Sequence, residues 1–177
     1  MPVPLHHQLQ GPRLTLRRLT EVDADRVCEI LSSWNVARML RRGSFPPSAE
    51  DLANWLGHHE SEWLSGTAYR FGAVATGRIV GSVDIGEING GVGDLGYWFD
   101  HACWGQGYGS EAAGLARDFA FGTLGLRRLV AGHAIENIAS GRILLSLGFR
   151  PVADELRYYP LHRAELTYRR YVLDATT

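Results

Sequence analysis

The sequence predicts a mixed α/β (α+β) fold: a mostly antiparallel central sheet of about six to seven strands, flanked by helices. Three observations carry this expectation. Apolar residues recur at helical spacing in four separate stretches. Between Tyr69 and Phe99, three short runs separated by Thr76-Gly77 and Asn89-Gly90-Gly91 read as a strand meander. After the meander, helical and strand patterns alternate to the C-terminus, and a helix-covered sheet is the economical way to bury both.

The elements follow in order. Residues 1–12 carry three prolines and read as a flexible lead-in, which leaves 13–177 as a single domain. Arg13-Leu14-Thr15-Leu16-Arg17 alternates in the strand period. Thr20-Glu21-Val22-Asp23 offers an N-cap with acidic first-turn residues, and Val27, Ile30 and Leu31 form the apolar face behind it. Gly43-Ser44-Phe45-Pro46-Pro47 requires a loop. Ser48-Ala49-Glu50-Asp51 resembles a capping box with Asp in place of Glu, and Leu52, Trp55, Leu56, His59 and Trp63 follow at helical spacing. The meander strands are Tyr69–Ala75, Ile79–Ile85 and Leu95–Phe99. A helix over Ser110–Thr123, a buried strand over Arg128–Ala134 and a helix over Asn137–Leu147 come next, the last stopped by Gly148. Phe149–Val152 and Glu165–Val172 close the sheet.

Bulk properties exclude several classes. With 177 residues, one core is enough. Eighteen basic against nineteen acidic residues leave a net charge of −1, so nothing global attracts nucleic acid or an anionic membrane. No stretch approaches the roughly 20 apolar residues of a membrane span. Cys28 and Cys103 match no metal or disulfide pattern, which fits a reducing cytoplasm. A bound polyanion must therefore be held by local geometry.

Trp104-Gly105-Gln106-Gly107-Tyr108-Gly109-Ser110 supplies such a geometry. It follows a strand and enters a helix. Glycines let the backbone approach a ligand closely, and converging N–H groups at a helix start bind anions. The turn has no lysine, so it is not a Walker loop. Its third glycine comes one residue early for the dinucleotide fingerprint. A diphosphate held by backbone amides is the better match. The plainer alternative is a tight connection between strand and helix.

Together with the blocks Leu95-Gly96-Tyr97-Trp98-Phe99-Asp100 and Glu136-Asn137-Ile138-Ala139-Ser140 through Leu147-Gly148-Phe149, this turn resembles the GNAT N-acetyltransferase superfamily. The resemblance is to its RimJ/RimL-like branch of ribosomal-protein N-terminal acetyltransferases. It runs from about Arg13 to Val172 and implies a GNAT-like fold with acetyl-CoA as co-substrate. The backbone of Tyr97, Trp98 and Phe99 would pair with the pantetheine arm. The N–H groups from Gly105 or Gln106 through Gly107, Tyr108 and Gly109 to Ser110 would hold the pyrophosphate. Asn137 would bind pantetheine, and Ser140 would sit near the thioester. Trp104 stands where the wider pattern has Gln or Arg. Leu144 stands where many members carry a tyrosine acid, which leaves Ser140 as the nearest substitute.

The implied reaction moves an acetyl group to a primary amine, foremost a protein or peptide N-terminal α-amine, in a ternary complex. Small amines (an amino acid derivative, a polyamine or an aminoglycoside) and a non-catalytic acyl-CoA-binding module are the alternatives. Monomer and homodimer both remain open. An α-amine has a reference pKa of about 7.7–8.0, so a weak base suffices. Asp94, at the start of the cofactor strand, and Glu87, in the preceding loop, are the candidates, each also readable as a solvated strand-end carboxylate. No metal site is expected, because His6-His7 and His58-His59-Glu60 lack metal spacing and read as solvated. Trp34, Trp55 and Trp63 read as helix-packing residues, of which one or two could line the acceptor cleft. Arg38, Arg41 and Arg42 form a basic cluster, either a solvated face or a contact for an acidic or peptide acceptor.

Overall fold

The computed structural model of the chain describes residues 3–176. One eight-stranded sheet organises them, a strand more than expected. The addition is Gln8–Gln10 (β1), which pairs antiparallel with Thr15–Arg18 (β2). Residues 3–12 are thus not a flexible lead-in. The Val3 carbonyl accepts the Trp63 indole N–H at 3.0 Å, and Leu5 and Leu9 pack on the core. Met1 and Pro2 lie outside the described residues.

At Thr20, the backbone N–H donates to the Asp23 carboxylate at 3.0 Å. A 3₁₀ turn over Glu21–Asp23 then leads into Ala24–Leu31 (α1), and a single turn, Trp34–Ala37 (α2), follows. Ala49–Ser65 (α3) starts where Ser48 Oγ accepts the Asp51 N–H at 3.3 Å. The reciprocal half of the capping box is replaced. Asp51 accepts from Ser44 Oγ at 3.2 Å, and Ser44 Oγ accepts the Ser48 N–H at 3.0 Å.

Tyr69–Ala75 (β3), Arg78–Asn89 (β4) and Val92–Phe99 (β5) form the meander. Thr76 and Gly77 both take positive φ, 48° and 79°, the two-residue turn whose twist suits a hairpin. The second and third strands run further toward their shared turn than the sequence marks. Glu87 consequently lies inside β4 at a bulge, with φ 49°, and not in a loop.

Tyr108–Asp118 (α4) and a π turn at Phe119–Thr123 are followed by Arg128–Ala134 (β6), Ile138–Ser146 (α5), Arg150–Tyr159 (β7) and Ala164–Asp174 (β8). The strand order is β1-β2-β3-β4-β5-β6-β8-β7. One sheet face buries Phe71, Val83, Leu95 and Phe99 against Ala112, Ala116 and Phe119. The other buries Leu19 and Ile79 against Val27, Ile30, Leu52 and Leu56 of α1 and α3.

A single feature of this sheet positions the site. β5 and β6 form the only parallel pair among the described residues, and they pair only from Val92↔Arg128 to Asp94↔Val130. Beyond Asp94, β5 stays with β4 as far as Phe99, while β6 stays with β8. The sheet therefore opens as a wedge, with unpaired backbone on both inner edges.

Candidate active site

Strand alternation decides which backbone groups face the wedge. The Asp100 N–H donates to the Val80 carbonyl at 2.8 Å. Counting back in twos, Trp98 and Gly96 turn their peptide groups toward β4, while Tyr97 and Phe99 turn theirs into the wedge. The expectation that Tyr97, Trp98 and Phe99 all offer backbone pairing is therefore corrected at Trp98. Trp98 lines the site with its ring, which packs against the α1–α3 core. The Phe99 carbonyl is already taken, accepting the Trp104 indole N–H at 2.9 Å. That bond gives Trp104 a role in place of the more usual Gln or Arg: it ties the end of β5 to the start of the glycine turn.

The turn itself has a geometry that suits an anion. Gly105 and Gly107 take φ 76° and 82°, a region that a side chain disfavours. Gly107 is the N-cap of α4 and has no side chain to satisfy the first-turn donors. The first helical bond is Glu111 N–H to Gly107 C=O at 3.1 Å. The N–H groups of Tyr108, Gly109 and Ser110 have no partner among the described residues. They converge on a cavity of about 370 Å³ that Gly105, Gly107, Tyr108, Gly109 and Ser110 line. Gln106 does not line it.

The Gln106 carbonyl instead accepts Arg13 Nη1 at 2.7 Å. Arg13 also donates through Nε to Glu111 at 2.8 Å and lies 5.1 Å above the Tyr108 ring. Glu111 in turn accepts the backbone N–H groups of Arg13 and Leu14 at 2.8 and 3.0 Å. Burial pushes the Glu111 carboxyl up, but these hydrogen bonds outweigh it and hold the group below its usual range. Arg13, just before β2, thus clamps the turn from 93 residues away in the chain, a distance over which no local sequence signal exists.

On α5, Asn137 Oδ1 accepts the Ser140 N–H at 3.2 Å and caps the helix. The Tyr97 hydroxyl lies 2.9 Å from Ser140 Oγ and 3.2 Å from the Ser140 carbonyl. Burial pushes the Tyr97 phenol up to about 12, with Ser140 opposing, so it stays protonated and donates. Leu144 is buried in the core. The hydroxyl that α5 lacks at Leu144 is brought to its first turn by Tyr97 of β5.

A second cavity, of about 510 Å³, lies on the α1–α3 side of the sheet. Met39, Leu40, Tyr97, Trp98, Asn137 and Ser140 line both cavities, so the two adjoin along a seam that includes Tyr97 and Ser140. The floor of the larger one is hollowed by glycine. A Cβ on Gly96 would lie 2.7 Å from Asp84 Oδ1, and one on Gly132 would lie 2.4 Å from the Tyr168 ring. Asp84 and Tyr168 therefore lie across the strands where side chains would otherwise stand.

Asp84 is bound by Arg70 at 2.7 Å, and Arg70 also holds Glu62 at 2.7 Å. Asp94 lines the same cavity but has no hydrogen-bond or ion-pair partner among the described residues. Burial, reinforced by the charges of Asp84 and Glu87, pushes Asp94 up to about 6. Tyr168 is pushed up to about 12, by burial first and then by Asp94. The turn between β7 and β8 reaches over this cavity: His162 Nε2–H donates to the Arg38 carbonyl at 2.7 Å, and Trp34 packs 5.1 Å from Phe45 and 6.1 Å from His162.

Several other expectations change. His59 is buried and not solvated, its Nδ1 lying 3.2 Å from the Leu19 carbonyl, and burial pushes it down to about 4. His7 packs 5.5 Å from Phe119. Among the described residues no three His, Cys, Asp or Glu side chains are grouped as metal ligands. Trp55 lines the larger cavity, whereas Trp63 belongs to the core. No helix among the described residues is long and apolar enough to cross a membrane.

Comparison with known proteins gives a consistent result. Residues 13–150 match the family model of the acetyltransferase (GNAT) domain. The chain is 31% identical over 148 residues to the uncharacterized N-acetyltransferase p20 of Bacillus licheniformis, covering 80% of this chain and 82% of that one. The fold superposes on the RimL ribosomal L7/L12 α-N-protein acetyltransferase, solved with coenzyme A, with TM-score 0.86 at 17% identity, over 95% and 98% of the two chains. It also superposes on the ribosomal-protein-S5-alanine acetyltransferase of Vibrio fischeri, with TM-score 0.85 at 20% identity, over 95% and 96%.

Proposed function

This chain belongs to the GNAT acetyltransferase family, an acetyl-CoA-dependent N-acetyltransferase, and on that premise we propose that its acceptor is the α-amine of a peptide or protein N-terminus. The observation that carries the reading is the adjoining of two cavities along a seam that includes Tyr97 and Ser140, with a carboxylate that has no partner among the described residues on the acceptor side. Acetyl-CoA, when bound, supplies an activated acyl group on a thiol of modest basicity. The free amides of Tyr108, Gly109 and Ser110 suit its diphosphate, and the open edge of Tyr97 and Phe99 suits its amide-bearing arm.

Asp94 takes the proton from the incoming ammonium. With its carboxyl at about 6 and an α-amine near 8, the transfer is uphill by roughly 2 pKa units, or about 2.7 kcal/mol. An unshifted carboxylate would face about 4 units, and a lysine ammonium would face more than 4 even with Asp94 as it is. The matched pair is an α-amine and Asp94. Attack in a ternary complex then develops negative charge on the acetyl oxygen, which a wedge-facing N–H of β5 can meet. As the adduct collapses, the C–S bond breaks and the remaining extra proton on nitrogen passes to the departing thiolate, toward which Ser140 directs a hydrogen bond while the Tyr97 hydroxyl lies 2.9 Å from Ser140 Oγ. A thiol with a pKa of about 8.5 leaves readily, so a hydrogen bond suffices and a full acid at Leu144 is dispensable.

Mixed charge argues against a polyamine acceptor. Asp51, Asp84, Glu87 and Asp94 line the acceptor cavity, but Arg41, Arg42 and Arg70 line it too. The similarity to RimL and to the S5-alanine enzyme, both named for ribosomal-protein acceptors, points the same way. Free thiols at Cys28 and Cys103 suit a cytoplasmic enzyme. The test is release of free thiol from acetyl-CoA with a panel of acceptors. Peptides with a free N-terminus should turn over and their N-blocked forms should not. Turnover of polyamines or amino sugars with none of the peptides would overturn the peptide reading.

A further inference from the structure

The arginines of the acceptor cavity are unequally matched. Arg70 is saturated by Glu62 and Asp84. Arg42 is exposed and lies 3.6 Å from Glu87. Arg41, between α2 and α3, is half-buried and lines the cavity, yet it makes no hydrogen bond and no ion pair among the described residues. Its charge is felt inside, since it opposes the upward shifts of Asp94, Tyr159 and Tyr168. A cation partly withdrawn from water without an anion is unfavourable by itself, and a guanidinium is shaped to take a carboxylate through two parallel N–H bonds.

The cavity thus has an unpaired anion, Asp94, and an unpaired cation, Arg41. That is the complement of a ligand bearing both an amine and a carboxylate. We propose that Arg41 binds a carboxylate of the acceptor, so that the enzyme favours N-termini with an acidic side chain at the first or second residue. The peptide part of this inference rests on the acceptor class proposed above. The carboxylate part does not.

The experiment compares short peptides that differ only in Asp, Asn or Lys at the first or second position, with free amino acids as a further arm. Thiol release gives kcat and KM for each, and calorimetry with acetyl-CoA checks that each variant keeps its cofactor site. For the wild-type chain, Asp should exceed Asn by on the order of tenfold in kcat/KM at one of the two positions, mostly through KM. The Arg41→Gln variant should lose that preference, Arg41→Lys should keep part of it because it retains charge without the fork, and Arg41→Glu should turn it toward Lys. Equal rates with Asp and Asn at both positions would overturn the proposal. If no peptide reacts while acetyl-CoA still binds, the peptide reading falls. Acetylation of free amino acids with a KM that rises in Arg41→Gln would then still support Arg41 as the carboxylate group, and a KM indifferent to that change would sink it.

Discussion

The two halves of the site are made from different materials. The cofactor half is mostly backbone: unpaired amides at the N-terminus of α4, the open edge of β5, and a helix cap at Asn137. The acceptor half is mostly side chains, Arg41, Asp84, Asp94 and Tyr168, and glycines leave room for Asp84 and Tyr168. Backbone donors bind whatever carries a diphosphate, so that half can stay constant while the other changes. Side chains set charge and shape, so selectivity and proton transfer belong to the acceptor half. The two adjoin along a seam that includes the Tyr97–Ser140 contact.

The sharpest way to break this division is Asp94→Asn. Asp94 lines the acceptor cavity and not the cofactor cavity. Loss of the base should lower kcat by roughly a hundredfold or more, with the affinity for acetyl-CoA unchanged by calorimetry. The same residue sets a pH limb. A base must be unprotonated to act, so kcat/KM of the wild type should fall below about pH 6, the value to which burial raises Asp94. The limb should be missing from what activity the variant retains.

Asp94→Asn should also make the protein more stable, separating function from folding in one residue. The folded pKa of about 6 lies above the unfolded value of 3.8. The stabilising contribution of this group is thus complete below the unfolded value and lost as pH rises through 6. At pH 7 the charged group destabilises the fold by on the order of 3 kcal/mol. Urea unfolding should show the variant ahead by about that much at pH 7, with the gap closing as pH falls toward 4. An unchanged midpoint at pH 7 would mean that Asp94 is solvated.

The cofactor half is broken from the other side by Gly107→Ala. At φ 82°, and with the Arg13 guanidinium 3.2 Å from the new Cβ, the turn should strain. Acetyl-CoA binding should weaken about tenfold with acceptor preference intact. The smallest effect belongs to the joint. Tyr97→Phe removes the hydroxyl that touches Ser140 Oγ and the Ser140 carbonyl, and kcat should drop a few-fold with both affinities unchanged. A drop as large as that of Asp94→Asn would make Tyr97 a proton donor in its own right.

Legibility follows the same boundary. Gly105, Gly107, Gly109 and Asn137 could be read from the chain because a phosphate turn and a helix cap are local: the residues that shape them are adjacent in sequence. The meander and the order of helices were legible for the same reason, since turns such as Thr76-Gly77 and the alternation of β3 depend on near neighbours. What the sequence left undetermined is what depends on chain segments meeting. The lead-in became β1 because β2 offered an edge. Glu87 moved from a loop into a bulged strand because β5 pairs further toward the turn than its composition suggests. Arg13 reached the phosphate turn, Tyr97 reached Ser140, and Gly132 made room for Tyr168 only through pairings and packing between distant segments. By itself the sequence determined a glycine-rich turn opening onto a helix, a shape suited to a backbone-held diphosphate. The tertiary structure alone decided which charges face the acceptor, because a side chain's neighbours across a sheet are set by register and not by its place in the chain.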